Sequence, residues 1–137
     1  MLLLKRLLLS LSMFACIEMS PLIVQAQDAL APPKGEVVLT VTGEIIHENH
    51  DGAAQFDLEM LREMGVESFE TSTIWTEGTA RYSGIRLSRL LDAVGAQGAV
   101  LRASAINDYA VEIPVTDAVE DGPILAFEKD GRLMSVR

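Results

Sequence analysis

Thiolate chemistry is nearly excluded at the outset: Cys16 is the single cysteine of the chain, and it lies inside an apolar N-terminal stretch. If that stretch is removed, no disulfide, thiolate metal ligand or cysteine nucleophile remains. Histidine is almost as scarce. His47 and His50 share one short loop, and no Ser-His-Asp set stands out in the sequence. Aromatic residues make up 5 % of the chain, and Trp75 is the only tryptophan. Basic side chains number 11 against 20 acidic ones. Such an excess repels nucleic acid and anionic lipid surfaces. Its ligands are expected to be small and neutral or cationic, or to reach a basic cluster at Arg81, Arg86, Arg89 and Arg102.

An uninterrupted membrane-length apolar run is also missing. Lys5 and Arg6 precede an apolar stretch from Leu7 to Val24, which Glu18 and Pro21 break where a spanning helix would least accept them. Val24-Gln25-Ala26 supplies small residues at the positions read by signal peptidase. Residues 1–26 are therefore expected to be a secretory leader and the mature protein to be periplasmic. Met13-Phe14-Ala15 before Cys16 is a poor lipoprotein signal. Cleavage after Ala26 leaves 111 of the 137 residues, one unit more negative than the −9 of the full chain. That length suits one modest core.

Residues 27–35, with Pro32 and Pro33, read as a linker, and 36–137 as one domain. Glu36 to Gly43 is β-branched and reads as a strand. His47 to Gly52 reads as a turn, and its His47, Glu48 and His50 as exposed groups rather than a metal site. Asp57 is placed to cap a helix carrying Leu58, Leu61 and Met64, with Gly65 ending it. Ser68 to Trp75 reads as a strand and Gly78 to Gly84 as a loop. Leu87, Leu90, Leu91 and Val94 have helical spacing, closed by Gly95. Ala99 to Ala105 and Tyr109 to Ile113 form a hairpin about Asn107-Asp108. Thr116 to Glu120 reads as one helical turn. Ile124–Phe127 and Leu133–Val136 flank a second hairpin turn at Lys129-Asp130-Gly131. The order predicts an α+β fold, with a mostly antiparallel or mixed sheet and two main helices. A strand ending at Arg137 is expected either to be an edge or to be followed by a C-terminal extension.

Three segments carry a resemblance. These are Leu39-Thr40-Val41-Thr42-Gly43; then Thr71 to Trp75 with Gly78 and Tyr82-Ser83-Gly84-Ile85-Arg86-Leu87; then Ala105-Ile106-Asn107-Asp108-Tyr109 with Pro114. In order and spacing the chain resembles the oxidoreductase molybdopterin-binding domain of sulfite oxidases. Within that family it is similar to small periplasmic pterin-binding regulators of the PruR type. The resemblance implies a sulfite-oxidase-like fold and a reduced, molybdenum-free pterin as ligand. It also implies a periplasmic contact with a membrane-bound enzyme of cyclic di-GMP metabolism, and so a place in biofilm signalling. The family's molybdenum-ligating cysteine falls at or beside Ser72. Serine is a poor substitute for a soft thiolate, so no catalysis is expected. The alternative is a molybdopterin-dependent oxidoreductase.

A pterin is flat and edged with donors and acceptors. It suits an aromatic or guanidinium face with fixed polar groups around its rim. The expected pterin-binding residues are Trp75, Ser72, Thr73, Arg81, Tyr82, Asn107, Asp108 and Tyr109, with Asp108 as an acceptor for the ring's amino group. Plainer readings stand beside these. Trp75 and Tyr109 also suit a core, and Asn107-Asp108 suits a hairpin turn by itself. An interaction domain that has kept the fold and lost its ligand is a third possibility.

Overall fold

A computed structural model of the chain describes residues 30–72 and 77–135. The expected leader, Thr73, Trp75, Val136 and Arg137 lie outside the described residues. The elements are β1 (Val37–Thr42), β2 (Ala53–Asp57), α1 (Leu58–Glu63), β3 (Val66–Thr71), β4 (Ala80–Arg86), α2 (Leu87–Val94), β5 (Val100–Ser104), β6 (Ala110–Pro114), a 3-10 turn at Val115–Asp117, β7 (Ile124–Lys129) and β8 (Arg132–Leu133). The protein is a small α+β protein with antiparallel sheets and two helices. The described strands form two two-stranded sheets, β1–β2 and β5–β6, and a four-stranded sheet ordered β3-β4-β7-β8. No helix among the described residues is long and apolar enough to cross a membrane.

The core gathers Ala54 and Phe56 of β2, Leu61 of α1, Ile85 of β4, and Leu87, Leu90, Leu91 and Val94 of α2. Helix α2 buries one stripe because its leucines recur at three- and four-residue intervals. It ends at Gly95, which takes the left-handed conformation (φ 61°) that closes helices without a Cβ penalty.

Two strands depart from the sequence reading. Ala53–Asp57 is a strand despite its two alanines, because Ala54 and Phe56 are fully buried and packing outweighs a weak local preference. Ala80–Arg86 is a strand, not a loop. It is the inner strand between β3 and β7, and Gly84 faces the β7 backbone so closely that a Cβ would lie 2.7 Å from the Ala126 Cα. A glycine inside a strand commonly marks such an approach. Opposite Ser83 and Gly84 the register shifts, leaving Phe127 of β7 as the extra residue of a bulge. The expected strand from Ser68 onward begins earlier, at Val66, and ends at Thr71. Strand β8 is shorter than expected, at Arg132–Leu133.

Asp57 organises the N-terminal side. Its carboxylate accepts from the Met60 N–H (2.9 Å) at the start of α1, and from the Lys34 and Gly35 N–H groups (2.7 and 2.8 Å). The described part of the 27–35 segment is thereby tied down, and Leu30 packs against the core. Asn49 adds a second tie: its amide donates to the Ala31 and Gln55 carbonyls while its oxygen accepts from the Gln55 N–H. Hydrogen bonds from the Met60 and Gly35 amides, with a further one from Lys34, hold the Asp57 carboxyl below its ordinary range. A carboxylate with a depressed native pKa stabilises the fold above its unfolded value of about 3.9 and loses that contribution as pH falls through the native one. The Asp57 contribution is therefore expected to be independent of pH above about pH 4 and to fall below it. Urea melts across the acid range check this. Asp57→Asn should be less stable at neutral pH and show a shallower acid limb.

Candidate functional site

Two of the expected site residues, Arg81 and Tyr82, lie on β4 of the four-stranded sheet. Strands β3 and β4 pair with Phe69 opposite Tyr82, and β4 and β7 pair with Tyr82 opposite Lys129. Cross-strand partners share a face. The Phe69 and Tyr82 rings stack at 6.1 Å between centroids with 29° between planes, and the Lys129 Nζ sits 5.9 Å from the Tyr82 centroid. Phe69 is 46 % exposed, whereas Tyr82 and Lys129 are half-buried. The result is a stripe of aromatic, aromatic and cation across three strands. Phe69 is the exposed ring of the stripe, and the ammonium group lies on the far side of Tyr82 from it. Such a surface accepts a flat ring by stacking and a negative or acceptor edge by charge.

Arg81 is on the other face. Because Ala80–Arg86 is extended, successive side chains alternate. Arg81 pairs with Glu70 (2.9 Å), while its backbone N–H donates to the Asp130 Oδ1 (2.9 Å). The Asp130 N–H returns a bond to the Arg81 carbonyl (2.8 Å), fixing the β7–β8 turn against β4. Arg81 and Tyr82 therefore cannot contact one side of a ligand together, as a loop would have allowed. The Ser68 and Ser83 hydroxyls share a hydrogen bond (2.7 Å) on the Arg81 face.

The remaining expected residues are separated. Ser72 is exposed just past the end of β3. Asn107, Asp108 and Tyr109 form the β5–β6 hairpin tip, where Asp108 is left-handed (φ 63°). The Asn107 Oδ1 accepts from the Tyr109 N–H (3.3 Å), and the Ala105 carbonyl accepts from the Asp108 N–H (3.0 Å). These bonds close the turn, and Tyr109 is 69 % exposed. No hydrogen bond among the described residues joins this tip to Ser72, Arg81 or Tyr82. The basic cluster expected from sequence is likewise dispersed and neutralised. Arg86 and Arg89 both pair with Glu67, at 2.6 and 2.7 Å, and Arg102 lies on β5. No three potential metal ligands converge among the described residues.

Two clefts open elsewhere. One, of about 720 Å³, runs between the 31–36 segment, the start of α1 and Leu133. The other, of about 730 Å³, lies between β1, α2, β5 and the start of β7. Ser72, Arg81, Tyr82, Asn107, Asp108 and Tyr109 line neither.

Phe69 and Lys129 were missed from sequence. The signal for Phe69 was available: once residues 80–86 are an inner strand, β alternation and hairpin register bring it to Tyr82. Lys129 carried no such signal, since its place follows from the bulge in β7. Compared with known proteins, the chain matches no family model and no curated sequence.

Proposed function

We propose that this is an exported, non-catalytic binding domain of sulfite-oxidase-like fold. Its ligand is a reduced, molybdenum-free pterin, and it relays pterin status in the periplasm to a membrane-bound cyclic di-GMP enzyme. The observation that carries the reading is the Phe69–Tyr82–Lys129 stripe, which provides a stacking face and a cation for the polar rim of a bicyclic ring. The order of the three quoted sequence segments supports the fold. The strongly acidic composition favours a small ligand over a nucleic acid. Thr73 and Trp75, which follow Ser72 in the sequence, are further expected ligand contacts and lie outside the described residues.

The test is a titration of purified protein with tetrahydrobiopterin under anaerobic conditions, read by emission of the sole tryptophan. Saturable quenching is expected. Tyr82→Ala should weaken binding by about two- to tenfold, the loss of one stacking contact of roughly 0.5–1.5 kcal/mol. Lys129→Gln should weaken it less. Trp75→Ala, titrated by calorimetry because it lacks the fluorescent reporter, should show no binding in a domain whose circular dichroism is unchanged. A flat titration, or stoichiometric molybdenum in the purified protein, would reject the proposal.

A further inference from the structure

The second cleft has an unusual lining. A cleft that meets one face of a strand touches every second residue, because side chains alternate. Here every residue from Leu39 to Thr42 of β1 and every residue from Val100 to Ser104 of β5 borders the space. The cleft therefore meets both strands edge-on. Strand β1 uses its other edge for β2, and β5 uses its other edge for β6. Among the described residues, no backbone hydrogen bond engages Leu39–Thr42 beyond β2 or Val100–Ser104 beyond β6. Leu87 and Leu90 of α2, with Ile113 and Leu125, make the floor apolar.

Free strand edges are normally blunted by lysine, proline or short length. Strand β1 reads Val-Val-Leu-Thr-Val-Thr over six residues, with no charge and no proline, and Glu44 and Arg102 are the charged residues among the described lining of the groove. A small molecule can fill the apolar floor but cannot pair two rows of backbone groups. An extended polypeptide does both. A second copy of this chain is disfavoured as occupant, because each copy carries a net charge of −9.

We infer that the cleft between β1 and β5 is a strand-accepting groove for an extended segment of a partner protein. That segment has apolar side chains at alternate positions and basic residues at its ends. Backbone pairing supplies affinity, the apolar floor selects alternate side chains, and the acid excess of the domain favours a basic partner. The inference is independent of the pterin reading, since the groove contains none of the described residues of that site.

The test uses isotope-labelled protein and a synthetic peptide, acetyl-Lys-Val-Thr-Val-Thr-Val-Lys-amide, with amide hydrogen exchange followed by NMR. Saturating peptide should slow exchange at free-edge amides within 39–42 or 100–104 by about tenfold or more. The same peptide N-methylated at every interior residue keeps its side chains and loses its donors; it should bind about tenfold more weakly or worse. Replacing both lysines by glutamate should weaken binding, most strongly at low salt. Absence of protection in both segments, or equal binding of the methylated peptide, would overturn the groove. Concentration-dependent dimerisation that protects the same amides without peptide would overturn the partner assignment in favour of a second copy.

Discussion

Gly84→Ala is expected to break the β4–β7 pairing and unfold much of the domain. The added Cβ would collide with the Leu125 carbonyl oxygen and sit 2.7 Å from the Ala126 Cα. Both are backbone atoms of the neighbouring strand, so no side-chain rotation relieves the clash. The two strands must separate, and with them goes a ladder that runs from Arg86–Ile124 to Tyr82–Lys129. Overpacking of a core typically costs 1–3 kcal/mol, and a clash with fixed backbone belongs at or above about 3 kcal/mol. For a domain of this size that corresponds to a fall of roughly 2 M in the urea midpoint. Circular dichroism melts check the loss, and Gly98→Ala is the control. A Cβ at Gly98 meets nothing closer than 3.9 Å, so that variant should melt close to wild type. A Gly84→Ala protein with the wild-type midpoint would mean that β4 and β7 do not pack as closely as described. The substitution also bears on the stripe, because Lys129 reaches Tyr82 only through this pairing.

Phe56→Ala is expected to cost about 3–5 kcal/mol, the range for truncating a fully buried aromatic residue. Phe56 has no exposed surface and is one of the three largest fully buried side chains among the described residues. It projects from β2 into the cluster formed by α1, α2 and β4, so it is the main anchor of the β1–β2 hairpin on the rest of the fold. A domain of about this length is stable by only 5–15 kcal/mol, so the loss is a large fraction of the total. Phe56→Leu keeps most of the volume and should cost about 1 kcal/mol. Chemical denaturation of the two variants separates loss of packing from general intolerance of change. If β1 forms the groove edge, Phe56→Ala should also speed amide exchange in Leu39–Thr42 before global unfolding, because β1 hydrogen-bonds only to β2 among the described strands.

The segments that local chemistry controls were legible without coordinates. The strand at Val37–Thr42, the Asp57 cap, the helix beginning at Leu87 and closing at Gly95, and the Asn107-Asp108 hairpin all follow from short-range pattern. In each, the residues that form the element also contain its stop signal. Ala80–Arg86 was not legible, because Ser83-Gly84 carries the composition of a turn. Its strand character comes from being clamped between β3 and β7, the second of which lies some forty residues away in sequence. That single misreading propagated to the site. As a loop, the segment offered Arg81 and Tyr82 to one ligand; as a strand, it turns them to opposite faces.

Sequence alone determined the α+β class, the acidic surface, the absence of thiol chemistry beyond Cys16 and the ends of most elements, because composition and local hydrogen bonding are carried by neighbouring residues. Tertiary structure alone decided which side chains meet. The Phe69–Tyr82–Lys129 stripe depends on register across three strands, and the groove on β1 and β5 each having a strand partner on one side only among the described residues. Register and edge pairing are set by contacts between residues tens of positions apart, where packing energy outweighs local preference.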